Sequence, residues 1–263
     1  MAELLLEWAA NSTTTLSPIP LLAAAQYGHR YFMQKLLERN DFAADSRSNF
    51  GQTPLSYAAM NGHKRIVEQL LGRDDVLADS RDYFGRTPLS YAAEYGQFGA
   101  LWLLMKRDNV KADSRDSSGR TPLSYAAEKC SGITLSLLER EDVAADSRDD
   151  VGRTPLSYAA ENGHMKVVRQ LLEWDVSADS RDSSGRTPLS YAAEKGSGTA
   201  LALLERNDVV ADLRDNTGRT PLSYAAEKGS CIVQALLKRD DVAADSRDDH
   251  GRTPLSYAKE TKR

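Results

Sequence analysis

Asp182-Ser183-Ser184-Gly185-Arg186-Thr187-Pro188-Leu189-Ser190-Tyr191-Ala192-Ala193-Glu194-Lys195-Gly196 holds a turn, a helix start, an apolar stripe and a stop in one short stretch. The first four residues are a turn signal in which Gly185 supplies positive φ. Thr187 followed by Pro188 starts a helix. The hydroxyl can cap a free backbone N–H, and proline at the first helical position lacks one of those donors. Leu189, Ala192 and Ala193 form a small apolar stripe that lets a neighbouring helix come close. Gly196 stops the helix.

The centre of this stretch recurs. Thr-Pro-Leu-Ser-Tyr-Ala begins at Thr53, Thr87, Thr121, Thr154, Thr187, Thr220 and Thr253, in steps of 34, 34, 33, 33, 33 and 33 residues. A degenerate copy, Ile19-Pro20-Leu21-Leu22-Ala23-Ala24, precedes the first by 34 residues. Asp116 to Lys129 and Asp182 to Lys195 are identical over a two-repeat step, the mark of a duplicated block. A second helix follows the first. Between Gly163 and Leu172, residues Met165, Val168, Leu171 and Leu172 recur at steps of three and four on one face. Ala178-Asp179-Ser180-Arg181-Asp182 then leads into the next turn.

Each repeat therefore reads as helix, tight turn, helix and extended hairpin-like loop. Such short helices are marginal alone, so stability must come from stacking. The expected fold is an all-α repeat solenoid, curved and elongated, that grows in one dimension. Residues 1–18 read as an N-terminal capping segment or the remnant of a preceding repeat, because Glu3-Leu4-Leu5-Leu6-Glu7 resembles the tail of a second helix. Residues 19–263 read as eight units, the last truncated after its first helix, so both ends look cut.

Composition narrows the function. The formal charge is −4, and no Lys/Arg cluster stands apart from acidic neighbours, which argues against nucleic acid. No apolar run approaches the roughly 20 residues of a membrane span, and the acidic Ala2–Trp8 segment lacks the basic leader of a secretory signal. Asn11-Ser12-Thr13 matches a glycosylation acceptor only by chance on that reading. Cys130 and Cys231 sit three repeats apart. At about 8–10 Å per stacked helix they cannot pair, and free thiols suit an intracellular, cytoplasmic compartment. The chain is expected to be monomeric.

These residues resemble the ankyrin repeat, whose period of about 33 and Thr-Pro-Leu-His-x-Ala signature they approach. The resemblance runs from about Ile19 to the C-terminus. It rests on the spacing, turn glycine, Thr-Pro cap, Ala-Ala pair and Leu-Leu pair recurring together. Two departures stand out. Serine replaces the signature His in every complete copy (Ser56, Ser90, Ser124, Ser157, Ser190, Ser223, Ser256), so the network made by that His must be rebuilt. Tyrosine follows it, and its hydroxyl needs a partner if buried. This variant is similar to arrays attached to large fungal multidomain signalling proteins.

The resemblance implies a non-enzymatic module that binds a protein through loop tips and the concave face of the first helices. Carried onto this chain, the partner-binding residues are Tyr27, Asn49, Phe50, Asn61, Tyr83, Phe84 and Tyr95. Exposed aromatics favour such a role, and they gather in the first three units. Their competing role is to cover the end of the core. Phe98 and Trp102 read as core; Trp174 reads as an exposed anchor or a shield for its loop. No cofactor, metal ligand set or catalytic residue is expected. His29, His63 and His164 follow a helix-separating glycine and read as structural, His250 has no second ligand at metal spacing, and no nucleophile motif is present. The arginine and glutamate positions, such as Arg86 and Glu94, form ladders expected to pair across repeats. The alternative function is architectural, a spacer or sensor array within a larger signalling receptor. An enzyme would need a catalytic domain outside this chain.

Overall fold

A computed structural model describes residues 19–39, 42–129 and 132–260. Residues 1–18, read above as a cap or repeat remnant, and Cys130 lie outside the described residues. Fifteen helices follow in order among them: α1 (Ile19–Tyr27), α2 (Arg30–Leu37), α3 (Pro54–Met60), α4 (Lys64–Leu71), α5 (Pro88–Glu94), α6 (Phe98–Met105), α7 (Pro122–Glu128), α8 (Thr134–Leu138), α9 (Pro155–Asn162), α10 (Met165–Leu172), α11 (Pro188–Lys195), α12 (Thr199–Leu204), α13 (Pro221–Glu227), α14 (Val233–Leu236) and α15 (Pro254–Glu260). No strand occurs among the described residues. Two compact units divide the chain, Met1–Ala126 with Ser131–Val143, and Ala127–Cys130 with Ala144–Arg263. In the first, α1, α3 and α5 pack side by side in chain order, with α2, α4 and α6 forming a second row. In the second, α9, α11, α13 and α15 make the same kind of row, and α10 packs on α12. This is the local arrangement of a repeat solenoid.

The Thr-Pro start behaves as its chemistry requires. Thr187 is extended, at φ −98° and ψ 163°, and its Oγ1 accepts from the Ser190 N–H at 3.2 Å. Ser190 Oγ in turn accepts from the Thr187 N–H at 3.4 Å. Thr53, Thr87, Thr154 and Thr220 do likewise with Ser56, Ser90, Ser157 and Ser223. The serine that replaces histidine thus completes a capping box, satisfying two orphan donors reciprocally. Below the cap, Leu189, Ala192 and Ala193 are fully buried. Gly185 has φ 78°, and a Cβ there would fall 2.8 Å from the Asn216 nitrogen, so both conformation and close approach demand glycine.

The tyrosine hydroxyl finds its partner in the turn. Asp82 Oδ1 accepts from the backbone N–H groups of Phe84 and Arg86, and Asp82 Oδ2 accepts from the Tyr91 hydroxyl at 2.6 Å. Tyr125, Tyr158, Tyr191, Tyr224 and Tyr257 donate to Asp116, Asp149, Asp182, Asp215 and Asp248 in the same way. Between successive rings lies an arginine. Arg86 stacks on Tyr91 and Tyr125, with its guanidinium carbon 4.1 and 4.5 Å from the centroids. In the second unit Arg153 lies between Tyr158 and Tyr191, Arg186 between Tyr191 and Tyr224, and Arg219 between Tyr224 and Tyr257.

This stacking corrects the expected ladder. Arg86, Arg153, Arg186 and Arg219 pair with Glu94, Glu161, Glu194 and Glu227 of their own repeats. The rings occupy both faces of each guanidinium, so its edge reaches the glutamate at the end of its own first helix. Cross-repeat ties come from other arginines, Arg169 to the Glu205 carboxylate and several more to backbone. Arg47, Arg81, Arg181 and Arg214 donate to the carbonyls of Arg81, Arg115, Arg214 and Arg247.

Second helices vary in length for a reason visible in the spacing. From the glycine that closes α11, Gly196, to Leu203-Leu204 is one residue shorter than from Gly62 to Leu70-Leu71. The missing residue comes out of the first turn: α8, α12 and α14 have five, six and four residues, against eight in α4, α6 and α10. In α10 the buried face is Val167, Val168 and Leu171, while Met165 and Leu172 are half-buried.

Two stability outcomes follow from the cap and the turn. Gly185→Val should destabilise by more than the ~1 kcal/mol of an average point change, and Thr187→Ala by roughly 0.5–2 kcal/mol; thermal melts matching the parent would refute the assigned roles. A third concerns pH. Burial, reinforced by the aspartate hydrogen bond, pushes Tyr191 and Tyr257 up to about 12 and raises Tyr91, Tyr125 and Tyr224 as well. A phenol whose folded pKa exceeds the unfolded value adds stability that is complete below about pH 10 and is lost as pH climbs from there through about 12. Helical circular dichroism should therefore hold to the start of that window and fall together with the appearance of tyrosinate absorbance. Tyrosinate forming while helicity stays constant would contradict the buried hydrogen bonds.

Candidate partner-binding surface

The seven residues singled out in the sequence fall into two groups, both in the first unit. Phe50, Tyr83 and Phe84 form one, on adjacent loop tips. The Tyr83 N–H donates to the Phe50 carbonyl at 3.0 Å, and the Ser117 N–H to the Phe84 carbonyl at 2.8 Å, so each tip is hydrogen-bonded to the next. Gly51 makes room for this contact: a Cβ on it would lie 2.6 Å from Tyr83 Cδ1. Arg47 Nη1 donates to the Gly51 and Arg81 carbonyls, which ties the first tip to the second from behind. The backbone carrying the rings is thereby fixed before any partner arrives, which lowers the ordering cost of binding. All three rings are open to solvent; Tyr83, at 70 %, is the most exposed of them. Asn49 is exposed on the same tip as Phe50.

Tyr27, Asn61 and Tyr95 form the second group, at the ends of α1, α3 and α5, three neighbours in one row. Asn61 donates Nδ2 to the Tyr57 carbonyl at 2.9 Å and so closes its own helix, while both tyrosines are exposed. A seven-residue helix rises about 10 Å, and that length separates the tips from the helix ends. The tips and ends are therefore two strips flanking the row of first helices. In the second unit the same tip positions carry Asp150-Val151, Ser183-Ser184, Asn216-Thr217 and Asp249-His250, and the helix ends carry Asn162, Lys195 and Lys228.

Phe98 and Trp102 contradict the core assignment: they are 57 % and 44 % exposed on α6. The helix is apolar on every side, and its buried face is taken by Ala100, Leu101 and Leu104, leaving the larger rings outside. The signal available in the sequence was a helix apolar at every position, which has more large side chains than one buried face can take. Trp174 is partly exposed at the exit of α10. The histidines have framework roles where they are described with partners. His63 Nε2 meets the Gln26 carbonyl at 3.0 Å and His164 Nε2 meets the Glu128 carbonyl at 2.7 Å. A carbonyl only accepts, so Nε2 carries the proton in both. Gln97 does the same for Met60.

Among the described residues no group of three or more His, Cys, Asp or Glu side chains is arranged to hold a metal ion, and no helix is long and apolar enough to cross a membrane. An apolar cavity of about 600 Å³ lies in the second unit, lined by Leu222, Ala226, Val233, Leu237 and Leu255 among others, well away from the aromatic strips in sequence.

The family model for ankyrin repeats (3 copies) matches residues 1–82, 75–145, 129–215 and 197–263, which together span the chain. The chain belongs to the ankyrin-repeat family. No curated protein matches it. Ankyrin repeats are in general protein–protein interaction modules and typically carry no catalysis of their own. In this array the exposed rings of the loop tips are distinct from the side chains that hold the repeats together. Tyr83→Ala and Phe84→Ala should accordingly melt within about 0.5 kcal/mol of the parent, as exposed changes do. A loss of the ~3–5 kcal/mol typical of a buried aromatic would make the rings part of the core instead.

Proposed function

We propose that this ankyrin array is a monomeric, non-enzymatic binding module whose first unit grips a protein partner through Tyr27, Asn49, Phe50, Asn61, Tyr83, Phe84 and Tyr95. The observation that carries this reading is that the tips and first-helix ends of that unit bear exposed Phe and Tyr rings where the same positions of the second unit bear none, with the tip backbone fixed by cross-repeat hydrogen bonds. Rigid aromatics bury large area at small rotamer cost, which is why they dominate interface energetics. The exposed, unpaired thiol of Cys231 favours a reducing intracellular setting for the complex. The proposed surface belongs to the earlier repeats in the sequence, and the later ones are more uniform. An architectural spacer remains the competing function, favoured by that uniformity, but a spacer has no use for solvent-facing rings.

The test is a partner captured from native extract with the full chain and identified. Alanine at Phe50, Tyr83, Phe84 or Tyr95 should each cost about 2 kcal/mol at a true hot spot, roughly a thirtyfold loss of affinity. Replacing Ser183, Ser184 and Lys195 should change affinity little. Equal sensitivity of both sets would remove the aromatic argument, and failure to retain any partner would favour the spacer.

A further inference from the structure

Four arginines close the exits of second helices by one recurring device. Arg73, Arg140, Arg206 and Arg239 each donate Nη1 to a carbonyl at the end of the preceding second helix, those of Leu37, Met105, Leu172 and Leu204. Each also grips the aspartate two residues on, through Nε and Nη2, at 2.5–3.1 Å. The carboxylate completes the guanidinium fork.

The repeat that begins at Thr87 breaks the device in one place. Arg107 still donates Nη2 to the Leu71 carbonyl, but the residue two positions on is Asn109. Nε and Nη1 of Arg107 have no hydrogen-bond partner among the described residues. Arg107 is exposed, and with Lys106, Asp108 and Asn109 it lines a polar cavity of about 410 Å³ whose other wall includes Arg73 and Asp74.

Two further features point the same way. Lys106 Nζ lies 3.6 Å over the ring of the exposed Trp102, so the aromatic surface adjoins the cavity; Phe98 sits one turn earlier on the same side of α6. The charge also shifts here. From Phe98 to Lys111 three cations (Lys106, Arg107, Lys111) face one acid (Asp108). In the preceding repeat Lys64, Arg65 and Arg73 are balanced by Glu68, Asp74 and Asp75, and in the following one Arg140 is outnumbered by Glu139, Glu141 and Asp142.

We propose that this second-helix surface is a second docking site, which takes an acidic peptide segment of a protein partner. A side-chain carboxylate of the segment pairs with Arg107 through the donors that the fold leaves open, as Asp75, Asp142, Asp208 and Asp241 pair with the arginines of their repeats. An apolar residue beside it covers Trp102 and Phe98. The site is built in advance because the Leu71 carbonyl anchors Arg107, and the aromatic shelf selects a peptide over a bare anion.

The experiment selects a displayed library of random twelve-residue peptides on the full chain and measures the recovered peptides against Asn109→Asp. That variant restores the residue found in the sister repeats, so it should melt no lower than the parent while supplying the carboxylate from within. Recovered sequences should place Asp or Glu next to Leu, Phe or Trp. They should bind Asn109→Asp about tenfold more weakly or worse, as expected for losing a charge-assisted contact. They should also weaken with salt. Ser184→Asp, which adds the same charge elsewhere, should leave them unaffected, as should Phe50→Ala, which separates this site from the proposed tip surface. Recovery of peptides without acidic residues, equal binding to Asn109→Asp, or no peptide family that distinguishes the two proteins would overturn the proposal. Phosphatidylserine vesicles that bind in an Asn109-dependent manner, with no such peptide recovered, would overturn it in favour of a lipid surface.

Discussion

The carboxylate of the turn aspartate collects three donors: two backbone N–H groups of its own turn and the hydroxyl of a tyrosine nine residues on. That one group ties the loop before a first helix to the ring that follows its cap. The ring then becomes a wall of the slots that hold the arginine of its own repeat and the arginine of the repeat before. Loop shape, helix start and repeat-to-repeat stacking therefore depend on one another through the Asp–Tyr–Arg contact. Each link is modest in isolation, about 1.5–3 kcal/mol for a hydrogen bond to a charged group and about 0.5–2 kcal/mol for a cation over a ring. Repetition along a unit makes the sum matter more than any one link.

The repeat beginning at Thr53 reveals that dependence. Ser48 stands where the aspartate would be, Gln52 where the arginine would be, and Met60 where the glutamate would be. All three charged members are absent together. Gln52 accepts from the Tyr57 hydroxyl at 2.9 Å and donates to the Tyr91 hydroxyl at 2.8 Å, and Ser48 Oγ accepts from the Phe50 and Gln52 N–H groups. A neutral set replaces a charged one without leaving a buried charge unpaired, the outcome that would be most costly. The aspartates of the extended segments obey a different balance. Burial raises Asp79, Asp146, Asp179 and Asp212 despite bonds from the next repeat, whereas at Asp248 the donors outweigh burial and hold it at about 2. Contributions from the first group are present below the unfolded carboxylate value and are lost as pH rises through their raised pKa values. Asp248 contributes above the unfolded value and loses that contribution only as pH falls through about 2.

Much of the framework was legible because a repeat multiplies weak signals. One Thr-Pro is a poor helix start, yet seven at steps of 33 or 34 residues, five of them with a glycine three residues after an Ala-Ala pair, leave little room for another fold. What the sequence did not reveal was which neighbour each charge would choose. Arg86 and Glu94 read as rungs of a ladder, but direction depends on whether rings fill the gap between repeats, and that follows only once the hydroxyl of Tyr91 is seated on Asp82. Phe98 and Trp102 were misplaced because bulk alone suggested core, while the limited space between neighbouring second helices admits Ala100 and Leu101 instead. Of the proposed partner surface, exposure was readable from loop position. The separation into tips and helix ends required the helix between them.

An array like this gives a criterion for telling framework from function within a single sequence. A departure from the repeat that is answered by a second departure, as Ser48 is by Gln52 and Met60, restores the packing and says little about ligands. A departure that is left unanswered removes a contact and returns nothing to the fold. Asn109 is of the second kind, since no neighbouring residue supplies the carboxylate that Arg107 lacks. The tip rings are of a third kind: Phe50, Tyr83 and Phe84 occupy positions where serine, asparagine or aspartate serve the turn equally well, so the aromatic carbon adds nothing that the loop requires. Selection for folding acts on the first kind. The second and third add nothing that the fold requires, and in a family whose general role is protein recognition we propose contacts with other proteins as their purpose.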